Sequence, residues 1–179
     1  MTTIIEHSQF VQPEDLSKGF GPHLMMDCKG VNYDKCSDVG FVWQFLNDLP
    51  DKIGMTKITQ PYVFPYSGLV PEDKGVTGVV IIAESHLTFH SFTEKDYFFF
   101  DCFSCKPFDV DKMMHEVLNA FDVKTVDIHK AFRGLEFPRS EVHEAGNNSQ
   151  TATITAASFI DANNNSASHR YANKPLSIV

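Results

Sequence analysis

Residues 78–103 read GVVIIAESHLTFHSFTEKDYFFFDCF. Three runs within this stretch, 78–83, 86–92 and 97–103, are dominated by β-branched and aromatic residues. Such side chains fit a pleated, half-buried surface. Glu94-Lys95-Asp96 reads as a turn between the last two runs. The segment predicts three consecutive antiparallel strands, and the rest of the fold is read outward from it.

Upstream, residues 57–66 (KITQPYVFPY) favour a strand, with Pro61 marking an edge or irregular one. Residues 67–77 (SGLVPEDKGVT) read as a loop. Residues 23–28 (HLMMDC) form a short strand. Asp34 opens a helix to about Leu49, on which Val39, Val42, Trp43, Leu46 and Leu49 make an apolar stripe. Pro50 and Gly54 close it. Downstream, Asp109 or Asp111 caps a second helix striped with Val110, Met113, Met114, Val117, Leu118 and Phe121. Residues 125–132 give a last strand. This order predicts an α+β fold, an antiparallel sheet with two helices on one face. Both alternating sets of strand side chains carry Phe, Val and Ile, so the other face also wants cover. A homodimer packed sheet to sheet, an αββα sandwich, is the simplest solution.

Residues 1–20 read as an irregular lead-in, 21–140 as the domain, and the Asn-, Ser- and Ala-rich 141–179 as a mostly disordered tail. Within the tail only TATITAASFI has some strand or helix character. The chain has 179 residues, 42% hydrophobic and 21% charged, which suits one domain with a packed core. No apolar run approaches the roughly 20 residues that span a bilayer. The N-terminal MTTIIEHSQF lacks the layout of a secretory signal. A cytoplasmic protein without a membrane partner is the expectation. The net charge of −8 is opposite in sign to that of a nonspecific nucleic-acid binder and suits a cationic ligand. Cys28, Cys36, Cys102 and Cys105 read as reduced thiols. Cys102 and Cys105 form a C-x-x-C without the second pair that a structural zinc site needs, so no metal is expected.

The chemistry is concentrated between Thr77 and Cys105, where Glu84, Ser85, His86, His90, Glu94 and Asp101 interrupt an apolar segment. Buried polar groups need partners or a task. A serine near a histidine suggests an activated nucleophile. Ser85 lacks the G-x-S-x-G turn of hydrolases, and a Ser and His five apart also read as ordinary strand residues. Cys102 reads as a core thiol, His86 as either structural or an aid to processing.

The full pattern is more specific. Thr77-Gly78, Glu84-Ser85-His86, a histidine five after the serine (His90), a glutamate four further on (Glu94) and a cysteine twenty after the serine (Cys105) stand in one segment. This pattern resembles the pyruvoyl-dependent S-adenosylmethionine decarboxylases of the small prokaryotic type. The resemblance is strong over residues 75–110 and looser from Gly21 to Arg133. It implies self-cleavage between Glu84 and Ser85, Ser85 becoming a pyruvoyl cofactor that forms a Schiff base with the substrate. It implies that His90 withdraws a proton during processing and that Thr77, where the family commonly has Ser, steadies the intermediate. It implies Cys105 as general acid and Glu94 as ligand of the ribose of S-adenosylmethionine, the product serving spermidine synthesis. Phe64 and Tyr66 offer an aromatic surface for adenine and the sulfonium. The alternative substrates are ornithine or arginine on the same fold. A non-enzymatic homologue would be marked by loss of Ser85 or Cys105, and both are present. Because strand residues five apart face opposite ways, a bend, bulge or chain break is expected beside Ser85.

Overall fold

The strand-rich segment folds as its alternation dictates. In the computed structural model, which describes residues 1–6, 20–68 and 70–137, β4 (Gly75–Ile82), β5 (Ser85–Phe92) and β6 (Tyr97–Ser104) form an antiparallel meander. Phe98 and Phe100 are fully buried on one face while Phe99, between them, is 38% exposed on the other. With β1 (Thr3–Glu6), β2 (Gly21–Lys29), β3 (Tyr62–Tyr66) and β7 (Thr125–Arg133) they make one seven-stranded sheet of order β1-β7-β2-β6-β5-β4-β3. Every pairing is antiparallel except β1 with β7.

Helices α1 (Tyr33–Ser37), α2 (Val39–Lys52) and α3 (Val110–Ala120) supply the core that covers one sheet face. Three helices stand where two were expected. Asp38 is extended (φ −89°, ψ 108°) and ends α1, while its carboxylate accepts from the Gly40 and Phe41 N–H groups and caps α2. Pro50 does not end α2, which runs on to Lys52. Its ring is buried near the helix end, and its carbonyl accepts from Met55 N–H at 2.8 Å. The buried stripe of α2 is Val42, Phe45, Leu46 and Leu49. Phe45 replaces Trp43 as the core aromatic. On α3 the expected stripe is met, with Asp109 as the N-cap.

The core centres on Phe121, whose ring lies 4.9 Å from Phe45, 4.9 Å from Phe89 and 5.0 Å from Phe98. Gly78 lets α2 approach the sheet, because a Cβ there would meet Leu46 Cδ1 at 2.6 Å. Buried Ser91 ties α1 to the sheet. Its hydroxyl accepts from Val76 N–H and donates to the Cys36 carbonyl.

Three further boundaries shift. The lead-in is not wholly irregular, since Thr3–Glu6 pairs with β7. The 57–66 strand shortens to Tyr62–Tyr66, an edge strand that tolerates Pro65, and Lys57 keeps only an isolated bridge to Ile82. The 67–77 loop loses its last residues to β4, which begins at Gly75. The expected tail, 141–179, lies outside the described residues.

Candidate active site

The opposite sheet face carries Thr77 and the histidines of β5. Odd residues of β4 and even residues of β5 point away from the helices, so Thr77, His86, His90 and Phe92 share this face. The β4–β5 connection is the two-residue turn Ala83-Glu84, flanked by the register pair Ile82 and Ser85. Ser85 has φ +153°, the expected break in regular geometry. A residue other than glycine held there costs about 1–3 kcal/mol. Its hydroxyl sits 3.0 Å from His86 Nδ1.

Glu84 is held from three sides. Its carbonyl accepts from Cys105 N–H at 2.7 Å. Its carboxylate receives Lys106 Nζ at 2.6 Å and Thr56 N–H at 3.1 Å. Burial alone would raise this carboxyl, but the Lys106 and Thr56 hydrogen bonds hold it below the usual range. Burial, then neighbouring His23, holds His86 below the ordinary histidine value, leaving it neutral at pH 7. His23 Nε2 lies 3.2 Å from Asp101 Oδ1, and that contact keeps the Asp101 carboxyl low. Cys105 is half-buried at the end of β6, whereas Cys102 is fully buried and its thiol is pushed far up by burial.

A second group lies toward the other end of β5. Thr77 and His90 are register partners, and Thr77 Oγ1 and His90 Nδ1 share a hydrogen bond of 2.5 Å. Burial holds His90 below the ordinary histidine value as well. The Tyr66 ring lies 6.0 Å from it. Glu94, in the turn after β5, pairs with Lys74 at 3.0 Å and approaches the Tyr33 hydroxyl at 3.5 Å. Beside this pair opens a cleft of about 360 Å³ lined by Tyr33, Ser37, Pro65, Tyr66, Lys74 and Thr93.

The six residues singled out in the sequence thus fall into two groups within one chain. Glu84, Ser85 and Cys105 come together, and so do Thr77 and His90, with Glu94 beyond them. Ser85 and His90 are five residues apart on one strand, roughly 17 Å. No imidazole bridges that distance. Lys106 and Thr56 escaped the sequence reading because neither belongs to the motif. A cation directly after Cys105 was the one signal available. Among the described residues, no group of three or more His, Cys, Asp or Glu is placed to hold a metal, and no helix is long and apolar enough to cross a membrane.

Comparison with known proteins identifies the family. A family model described as S-adenosylmethionine decarboxylase matches residues 22–134. An S-adenosylmethionine decarboxylase proenzyme of Geobacillus kaustophilus is 29% identical over 124 residues, which cover 68% of this chain and 95% of the relative. One of Pyrococcus furiosus is 28% identical over 117 residues, covering 65% of this chain and 80% of the relative. The crystal structure of the adenosylmethionine decarboxylase from Aquifex aeolicus superposes with a TM-score of 0.56 at 26% identity, over 73% of this chain and 99% of that one. The match spans the whole meander, both residue groups and all three helices, and the chain belongs to the S-adenosylmethionine decarboxylase family.

Proposed function

We propose that this chain is a self-cleaving, pyruvoyl-dependent S-adenosylmethionine decarboxylase that works as a homodimer. The observation that carries this reading is the Glu84–Ser85 peptide. A strained serine there has its hydroxyl on a neutral imidazole, and the preceding carbonyl already accepts a backbone N–H. These residues fit the generation of a cofactor from the chain itself.

Ser85 Oγ gives its proton to His86 Nδ1 and bonds to the Glu84 carbonyl carbon. Negative charge then collects on the Glu84 oxygen, where Cys105 N–H stabilises it. The Glu84–Ser85 C–N bond breaks and the nitrogen takes up the proton, leaving an ester and a free amine. His90 next removes the Ser85 Cα proton. That electron pair forms the Cα–Cβ double bond as Cβ–Oγ breaks and the Glu84 carboxylate leaves. Hydrolysis with loss of ammonia leaves a pyruvoyl group at the head of the chain that begins at position 85. When present, this group supplies the electron sink that an amino-acid decarboxylation needs.

The 17 Å problem has one economical solution. The open face exposes Ile81, Phe64, Tyr66 and Phe99, each 37–42% accessible in one chain. A second copy packed face to face covers them, as aligned sheets do about 10 Å apart. A two-fold axis between the faces and across the strands reverses strand direction. The Thr77–His90 end of one chain then meets Ser85 of the other, and every site draws on both. Glu94 and the aromatic Phe64–Tyr66 surface, at the same end, receive the ribose, adenine and sulfonium. Cys105 Sγ returns a proton to the substrate Cα after carbon dioxide leaves. A cytoplasmic location and independence of membrane and nucleic acid belong to the same reading.

The relatives described above are named for S-adenosylmethionine, and nothing in them favours ornithine or arginine. Intact mass spectrometry of the denatured protein tests the first step. Two fragments meeting between Glu84 and Ser85, the second carrying pyruvoyl in place of serine, are expected. A full-length mass that persists after long incubation refutes the reading and points to a non-enzymatic homologue. Carbon dioxide release from S-adenosylmethionine, and not from ornithine or arginine, tests the second step.

A further inference from the structure

We propose that Lys106 is a positioning residue for self-cleavage, its ammonium clamping the Glu84 side chain so that the Glu84 carbonyl stays on the Cys105 N–H while Ser85 attacks. The inference rests on the self-cleavage reading and adds a residue that the family motif does not contain.

A glutamate at the tip of a two-residue hairpin ordinarily points into water. Glu84 is instead only 5% exposed. Its carboxylate pairs with the Lys106 ammonium and accepts from two backbone N–H groups, those of Thr56 and of Glu84 itself. Thr56 grips the turn a second time, its carbonyl accepting from Ala83 N–H at 2.8 Å. Lys106 is itself aimed. The fully buried Ser104 donates its hydroxyl to the Lys106 carbonyl at 2.7 Å and accepts from Lys106 N–H at 3.2 Å. The dipeptide Cys105-Lys106 therefore holds Glu84 twice, by a backbone N–H on its carbonyl and by an ammonium on its carboxylate.

Without the ammonium, a nearly buried carboxylate keeps only backbone N–H partners and no counter-charge. An unpaired buried charge is costly, so it must take up a proton or turn out to water. Turning out rotates the Glu84 backbone and draws its carbonyl off the Cys105 N–H. Misplacing a reacting group by about 1 Å costs on the order of a hundredfold in rate. Lys106 and Glu84 thus act as a unit, and the effect of one depends on the charge of the other.

The test follows cleavage of freshly refolded full-length chain by intact mass at pH 7, in wild type, Lys106→Met, Lys106→Arg and the double variant Glu84→Gln/Lys106→Met. Lys106→Met is expected to cleave roughly ten- to a hundredfold more slowly, and Lys106→Arg to recover most of the rate. The double variant, which has no carboxylate left unpaired, should cleave faster than Lys106→Met alone. The deficit of Lys106→Met should also shrink as pH falls, because burial, no longer offset by the ammonium, raises the Glu84 carboxyl of the variant and lets it take up a proton. Cleavage of Lys106→Met at the wild-type rate overturns the proposal. A double variant as slow as Lys106→Met also overturns it, because the lysine is then needed for packing and not to pair a charge. Failure of the wild type itself to cleave refutes instead the self-cleavage reading.

Discussion

If each site is assembled from two chains, a chain lacking His90 and a chain lacking Ser85 must rescue one another. His90 pairs with Thr77 five residues along β5 from Ser85, roughly 17 Å away at about 3.3 Å per residue. His90→Ala alone should lose the proton acceptor for elimination and cleave about 10²- to 10⁴-fold more slowly. Ser85→Ala alone has no hydroxyl and should never cleave. When the two are co-expressed and assort at random, about half of the dimers are mixed, and each mixed dimer holds one site with both residues intact. About a quarter of all sites should then work, and about half of the His90→Ala chains should be cut. The assay is intact mass of the co-purified chains, distinguished by a tag, with decarboxylase activity measured alongside. Uncut His90→Ala chains in the mixture, together with proof that mixed dimers form, would falsify the shared site and require His90 to reach its own Ser85.

Other perturbations probe the remaining parts. His86 is held neutral by burial and by His23, so its hydrogen bond to Ser85 should aid cleavage throughout the neutral range. Because a lowered pKa moves loss of the neutral form to lower pH, cleavage should be flat above about pH 6.5 and fall only below it. An acid limb centred above that value in a stopped-flow refolding series argues against His86 as proton acceptor. Cys105→Ala keeps the N–H that holds the Glu84 carbonyl, so cleavage should persist while turnover drops by about 10²- to 10⁴-fold. Equal loss of both steps would show that the thiol acts before the cut. Phe99→Asp places a charge on the open face and should yield a folded monomer by sedimentation velocity, whereas Phe89→Ala should cost about 3–5 kcal/mol in urea unfolding. A dimeric Phe99→Asp variant would remove the open face from the interface.

The sheet was legible because its signals are local. Alternation along 97–103 separates Phe98 and Phe100 from Phe99 without any knowledge of neighbours, and Asp109 signals its helix by capping alone. The split of the first helix was less visible, since an aspartate such as Asp38 inside an apolar period reads equally as a surface position. The motif gave the identities at the site but not their distances. Register decides that Thr77 faces His90 and that Ser85 faces Ser104, and register is a property of paired strands. Where the Glu84 side chain points is fixed by contacts with Thr56, 28 residues upstream, and with Lys106, and no local signal in the sequence encodes them.

If the chain cuts itself after Glu84 as proposed, the same topology would keep the sheet together. Cleavage after Glu84 assigns β1 to β4 to one product and β5 to β7 to the other. In the order β1-β7-β2-β6-β5-β4-β3, four of the six neighbouring pairs, β1 with β7, β7 with β2, β2 with β6 and β5 with β4, join different products. The core is shared in the same way, Phe45 from the first product packing on Phe121 from the second. Separation would therefore break central strand pairings and open the aromatic cluster, at a cost near that of unfolding. Such a cut would break only the Glu84–Ser85 peptide bond and free Ser85 from its φ of +153°, which would relieve about 1–3 kcal/mol of strain. The two fragments should accordingly co-elute in native gel filtration and part only in denaturant. Elution of residues 1–84 on their own in native buffer would mean that the interleaved sheet does not hold the products together.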